Sequence, residues 1–251
     1  MRLTLLAAVA LLSLPGQPAP AAGVVPVVVE LFTSEGCSSC PPADQVLSRL
    51  AKEQPVPGAQ VIPLGMHVTY WDRLGWKDPA SLNEATQRQQ DYGSVFGADR
   101  MYTPQAVVDG REEMIGSDEA GVRRAIAKAA TQPHARLTVT ATTQGAGVVV
   151  VKTVASEIPH EVNERLVGHI ILTEDDLTSI VKRGENGGRT LHNDAVVRRV
   201  SPALADFAAQ PARSAELRVQ RDWRIDRLQA IVFLQGERTR RIWGAAAAPV
   251  K

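Results

Sequence analysis

The chain has 251 residues, 28 basic against 27 acidic side chains, and a formal charge of +1. The two signs are mixed along the sequence, so no basic stripe suits nucleic acid and no polybasic cluster suits a lipid surface. The composition is that of a soluble globular protein with few aromatics.

Arg2, an apolar stretch from Leu3 to Leu14, the break at Pro15-Gly16 and the small residues Ala19 to Ala22 read as a secretory signal over residues 1–22. A membrane anchor is the alternative, but spanning a bilayer takes about 20 apolar residues. No later segment is long and apolar enough to span. Export, with the periplasm as the expected location, means an oxidising compartment in which disulfides persist. About 230 residues remain, enough for one large domain or two ordinary ones.

Val24 to Phe32 is a continuous β-branched run, as in a strand buried on both faces. Cys37 and Cys40 follow it as Cys-Ser-Ser-Cys, the chain's two cysteines. Ser39 is the expected N-cap of a helix over Pro42 to Ala51, with Pro41 and Pro42 where missing N–H groups cost little. Gln60 to Val68 is a second buried strand, and Tyr70 to Pro79 an aromatic-rich loop. A helix over Ser81 to Phe96 and a strand over Gln105 to Val108 come next. Asp109-Gly110 is a hairpin turn, Glu112 to Ile115 its return strand, and a helix starts at Ser117. After Gln132-Pro133-His134 the pattern changes to short strands between turn signals: 136–142, 148–154, 169–172, 177–181, 195–200, 216–220, 228–234 and 240–243. Such spacing suggests a β-sandwich. Gly184 to Leu191 reads as a hairpin or loop and lacks the spacing of a Walker loop.

A disulfide between Cys37 and Cys40 is geometrically reasonable across one helical turn. The loop-entropy model gives it only about 2 kcal/mol, against about 4.7 for a loop of a hundred residues. A redox role is therefore favoured over a staple. Free N–H groups and the positive helix end would stabilise a thiolate at Cys37, making it the nucleophile and Cys40 the resolving thiol.

Residues 30–44 (ELFTSEGCSSCPPAD), 67–79 (HVTYWDRLGWKDP), 102–105 (YTPQ) and 184–191 (GENGGRTL) together resemble a group of secreted thioredoxin-like proteins of undetermined function. The resemblance covers both halves of the chain. It implies an α/β thioredoxin-like domain (24–132) followed by an all-β sandwich-like domain (135–251). It implies a cis-proline at Pro104 that presents the Thr103 backbone to substrate, where the alternative is an ordinary trans proline opening an edge strand. It also implies a buried acid at Glu30 that takes a proton from the resolving thiol, where the alternative is a strand-end glutamate facing water. Tyr70 and Trp71 are candidate substrate-wall residues, and packing of their loop is the bland alternative.

The expected function is an exported thiol-disulfide oxidoreductase acting on protein thiols and disulfides, with no cofactor. A Cu(I) site of Cys37, Cys40 and His67 is one alternative. A redox-inactive binding protein is another.

Overall fold

A computed structural model describes residues 23–97, 101–145, 147–205, 207 and 210–251. The expected signal segment, residues 1–22, lies outside the described residues.

The first half runs β1 (Val25–Thr33), α1 (Pro41–Glu53), β2 (Ala59–His67), α2 (Asn83–Phe96), β3 (Gln105–Val108), β4 (Glu112–Ile115) and α3 (Glu119–Ala130). The second half is β5 (Arg136–Thr143), β6 (Val148–Ser156), β7 (Leu166–Glu174), β8 (Leu177–Ile180), β9 (Thr190–Asn193), β10 (Val196–Val200), β11 (Ala212–Arg218), β12 (Leu228–Gly236) and β13 (Ile242–Pro249). The elements stand close to where hydrophobic periodicity places them. β9 was not expected, and β13 extends through the alanine run at 245–248.

The expected fold class is corrected. The chain does not build a thioredoxin-like α/β domain followed by a separate sandwich. The described residues are mostly strand, with three α-helices, and both halves share one eight-stranded mixed sheet in the order β13-β12-β7-β10-β2-β1-β3-β4. The seam lies between β2 and β10, where Val196 pairs in parallel with Gly65 and the Gly65 N–H donates to Ala195 O at 2.8 Å. Gly65 allows this approach, because a Cβ there would stand 3.4 Å from Ala195 O.

Packing carries the same continuity. Phe32, Leu64, Met66 and Tyr92 of the first half form one core with Ile171, Val197, Ile231, Phe233 and Ile242 of the second. On the opposite face of β1, Val27, Val29 and Leu31 pack against α1 and α3. The β11-β6-β5 sheet covers the second half of the large sheet through Leu137, Val139, Val149 and Val151. Burial of these aliphatic side chains is worth about 1.5–3 kcal/mol each, so the seam is part of the core.

At the β3–β4 turn, Asp109 and Gly110 take φ of 49° and 61°, the backbone of a two-residue hairpin. The Asp109 carboxylate accepts from the Val28 N–H at 2.8 Å and lies 2.8 Å from His134 Nε2. Its carbonyl accepts from the Ile242 N–H, a further tie between the halves.

Candidate functional site

β1 ends at Thr33, and four residues later the chain enters the Cys37–Cys40 turn at the start of α1. The two cysteines form a disulfide with a Cα–Cα separation of 5.4 Å. Cys40, not Ser39, is the N-cap residue, and its side chain makes no capping bond because its sulfur is in the disulfide. Both cysteines are 0% exposed, whereas Ser38 and Ser39 face solvent. The Cys37 sulfur lies 3.3 Å from Ser39 Oγ.

Thr103–Pro104 is a cis peptide. Gln105 pairs with Phe32, so the register sets Pro104 beside the end of β1. Pro104, Ala43 of α1 and Leu31 converge on Gly116, where an added Cβ would meet all three. Gln89 of α2 holds this segment by donating to Tyr102 O at 2.7 Å and Gln105 Oε1 at 2.9 Å.

Trp71 spans the two loops. Its Nε1 donates to Thr103 Oγ1 at 2.8 Å, and its Cβ lies 3.3 Å from where a Gly36 Cβ would sit. Tyr70 stands beside it, half-buried, with its hydroxyl near Gln89 and Thr103 but without a bond of ordinary geometry. Cys37, Cys40, Thr103, Pro104, Trp71 and Tyr70 thus gather at one end of the sheet.

Glu30 stands elsewhere. It is fully buried, but strand alternation turns it to the α2 face, away from Val29, Leu31 and α1. There it pairs with Arg88 and accepts from the Tyr92 hydroxyl, while Arg88 also donates to Gln235 of β12 at 2.9 Å. The structure does not bring Glu30 to the cysteines.

Four other acidic or basic groups surround the turn. Asp44 lies one helical turn beyond Cys40, on the same face, and accepts from Thr33 Oγ1 at 2.8 Å. Burial pushes its pKa up to about 6, against the opposing pull of His67. His67 Nδ1 lies 2.7 Å from Asp78 Oδ2, both buried. Burial disfavours the imidazolium, but Asp78 outweighs it and the His67 pKa rises to about 9. Asp78 also accepts from the Glu35 N–H at 2.8 Å. Glu35 is held by Trp76 Nε1 at 2.8 Å, and burial and Asp78 raise its pKa. Among the described residues no three metal-ligating side chains converge, and His67 is engaged by Asp78.

The fourth side of the turn comes from the second half. Residues 181–189 join β8 to β9, and Gly184 packs against Trp76. Glu185 accepts from the Ser38 N–H at 3.0 Å and from Ser38 Oγ at 2.7 Å. Asn186, fully buried, donates to Glu35 O at 2.8 Å and Cys37 O at 2.9 Å. The glycine-rich phrase in the sequence is therefore a contact on the cysteine turn. A cleft of about 650 Å³ opens at the other end of the sheet, near Lys52, Asp175 and Asp194, away from the cysteines.

The chain belongs to the family described as protein of unknown function (DUF1223), whose model matches residues 28–235. It is similar to the solved protein AGR_C_4864 from Agrobacterium tumefaciens, with 27% identity, 90% of this chain and 95% of that one covered, and a TM-score of 0.67. It is also similar in fold to HBP35 of Porphyromonas gingivalis, with 15% identity, 90% and 76% covered, and a TM-score of 0.66. No curated protein matches the chain. Both likenesses extend across the seam between the halves. Among the described residues no helix is long and apolar enough to cross a membrane.

Proposed function

We propose that the protein is an exported thiol-disulfide oxidoreductase working through Cys37 and Cys40 on protein thiols and disulfides. The observation that carries this reading is the placement of a Cys-Ser-Ser-Cys disulfide at a helix start, at the same end of the sheet as Thr103, Pro104 and Trp71. A four-residue disulfide loop adds only about 2 kcal/mol by the loop-entropy model, so stability alone is a weak reason for it.

In the reducing direction the Cys37 thiolate attacks one sulfur of a substrate disulfide. That S–S bond breaks, one substrate sulfur leaves as a thiolate and takes up a proton, and a mixed disulfide forms at Cys37. Cys40 gives its proton to a base and attacks the Cys37 sulfur. The second substrate sulfur leaves, and the Cys37–Cys40 disulfide closes. The substrate gains two electrons and the protein loses two. Asp44 is the group suited to receive the Cys40 proton, because it lies one helical turn away with a pKa of about 6. Trp71 and Thr103 would line the approach of the substrate backbone.

Equilibration with glutathione buffers tests the reading. Reversible cycling is expected, Cys37→Ser should abolish exchange, and Cys40→Ser should trap mixed disulfides with exported proteins. A disulfide inert at every buffer ratio would overturn it.

A further inference from the structure

Glu185 is exposed, yet its carboxylate is fixed by two bonds to Ser38, the residue after Cys37. Asn186 beside it fixes the backbone on either side of Gly36. Arg189 donates to Asn186 Oδ1 at 3.0 Å and is thereby directed to the amide. Among the described residues no cation pairs with Glu185, whose pKa is lowered by the Ser38 bonds.

The Ser38 N–H is the first backbone donor after Cys37. In an open turn it would be available to a Cys37 thiolate. Here a carboxylate occupies it and adds a negative charge one hydrogen bond from the peptide adjoining Cys37. A like charge nearby disfavours ionisation. The other charged groups around the turn are Glu35, Asp44, Asp78, His67 and Arg189; His67 is already opposed by Asp78, and Arg189 is held on Asn186.

We infer that Glu185 is a positioning residue for the redox pair, holding Ser38 and disfavouring the Cys37 thiolate, so that the reduced pair is biased toward giving up electrons. The inference rests on the oxidoreductase reading and assigns the residue that sets its direction. Where Cys37 is ionised, destabilising the thiolate destabilises the reduced pair. Its two electrons then pass more readily to an oxidant such as glutathione disulfide, which becomes two glutathione molecules as Cys37–Cys40 closes.

The test compares wild type with Glu185→Gln, which keeps the shape and removes the charge. Cys37 acidity is read from thiolate absorbance against pH in the reduced proteins, and the potential from glutathione buffers. Glu185→Gln should make Cys37 about threefold to tenfold more acidic and move the glutathione equilibrium in the oxidising direction by up to that factor, tenfold being about 30 mV. Glu185→Asp should recover part of the wild-type value. At about 1 M salt the difference should shrink, because an exposed charge is screened over about 3 Å. Unchanged acidity in Glu185→Gln, or a difference that salt leaves intact, would overturn the inference. If neither protein equilibrates with glutathione, the oxidoreductase reading fails, while Cys37 acidity still decides the effect of Glu185.

Discussion

Replacing Asp78 by Asn should remove a pH-dependent share of the fold's stability that sits directly behind the cysteine turn. His67 is buried against Asp78, and its pKa rises from 6.5 to about 9 on folding. A base whose folded pKa is raised contributes stability that is complete below its unfolded pKa and is lost as pH rises through the folded one. Each pH unit of that rise corresponds to about 1.4 kcal/mol, giving about 3 kcal/mol in all. Between pH 7 and 9.5 the loss should be about 2 kcal/mol, or about 4–8 °C in Tm for a chain of this size. Urea midpoints and melting curves across that range measure it, below the ordinary tyrosine range. In Asp78→Asn the two largest opposing contributions are gone and only the weaker pull of Asp44 and Glu35 is left against burial, so the slope should be much smaller. Equal stability slopes in the two proteins would refute the reasoning.

Asp44 should behave with the same sign, in a lower pH window. Its pKa rises from 3.8 to about 6 on folding, so stability falls as pH climbs through that interval, and Asp44→Asn should be more stable at pH 7 by about 1–3 kcal/mol in urea unfolding. The same variant should prolong the mixed disulfide at Cys37 near neutral pH, as followed by stopped-flow release of a substrate thiol. Asn186→Ala leaves the carbonyls of Glu35 and Cys37 without their donor, which should cost about 1–3 kcal/mol. It should also speed reduction of the buried disulfide by dithiothreitol, since the covering loop is released. Arg88→Met leaves Glu30 buried without its cation and should cost about 3–5 kcal/mol in urea unfolding. Cys37 acidity in that variant should match wild type, because Glu30 lies on the other face of the sheet.

What sequence reading reaches is what depends on local pattern. The apolar run before Cys37, the helix after it, the Asp109-Gly110 turn and the short strands of the second half each have a periodicity or a turn residue of their own. Gly65 has none that tells it apart from any glycine in a strand, yet it is where β10 joins β2 and turns two expected domains into one sheet. Glu30 is buried, but a run such as Val27 to Leu31 is apolar on both faces and does not say which way an acid within it points. Alternation against α1 then sends it to Arg88. Asp44 was within reach of spacing alone, since a carboxyl four residues beyond Cys40 shares its helical face. The His67–Asp78 and Glu35–Trp76 pairs were not, because they depend on how an irregular loop folds back. The glycine-rich phrase at 184–191 could be recognised as a turn, but its contact with Ser38 spans 147 positions.

These contacts change the expected electrostatics of Cys37. A helix start ordinarily offers free N–H groups to an anion. Here Pro41 and Pro42 remove two such donors, the Ala43 and Asp44 N–H groups are bonded to Cys40 O, and Ser38 N is taken by Glu185. Around the turn stand the carboxyl groups of Glu35, Asp44, Asp78 and Glu185, against the imidazolium of His67 and the Arg189 guanidinium held on Asn186. The dipole therefore meets a thiolate with few donors left and a surplus of negative charge nearby. A strongly oxidising pair requires the opposite, a reduced form stabilised by its thiolate. The sequence motif is compatible with either direction of exchange; if the pair exchanges as proposed, the donors and charges around Cys37 favour reduction of a partner. That bias originates in both halves of the chain, since the prolines belong to α1 and the carboxylate on Ser38 to the loop between β8 and β9.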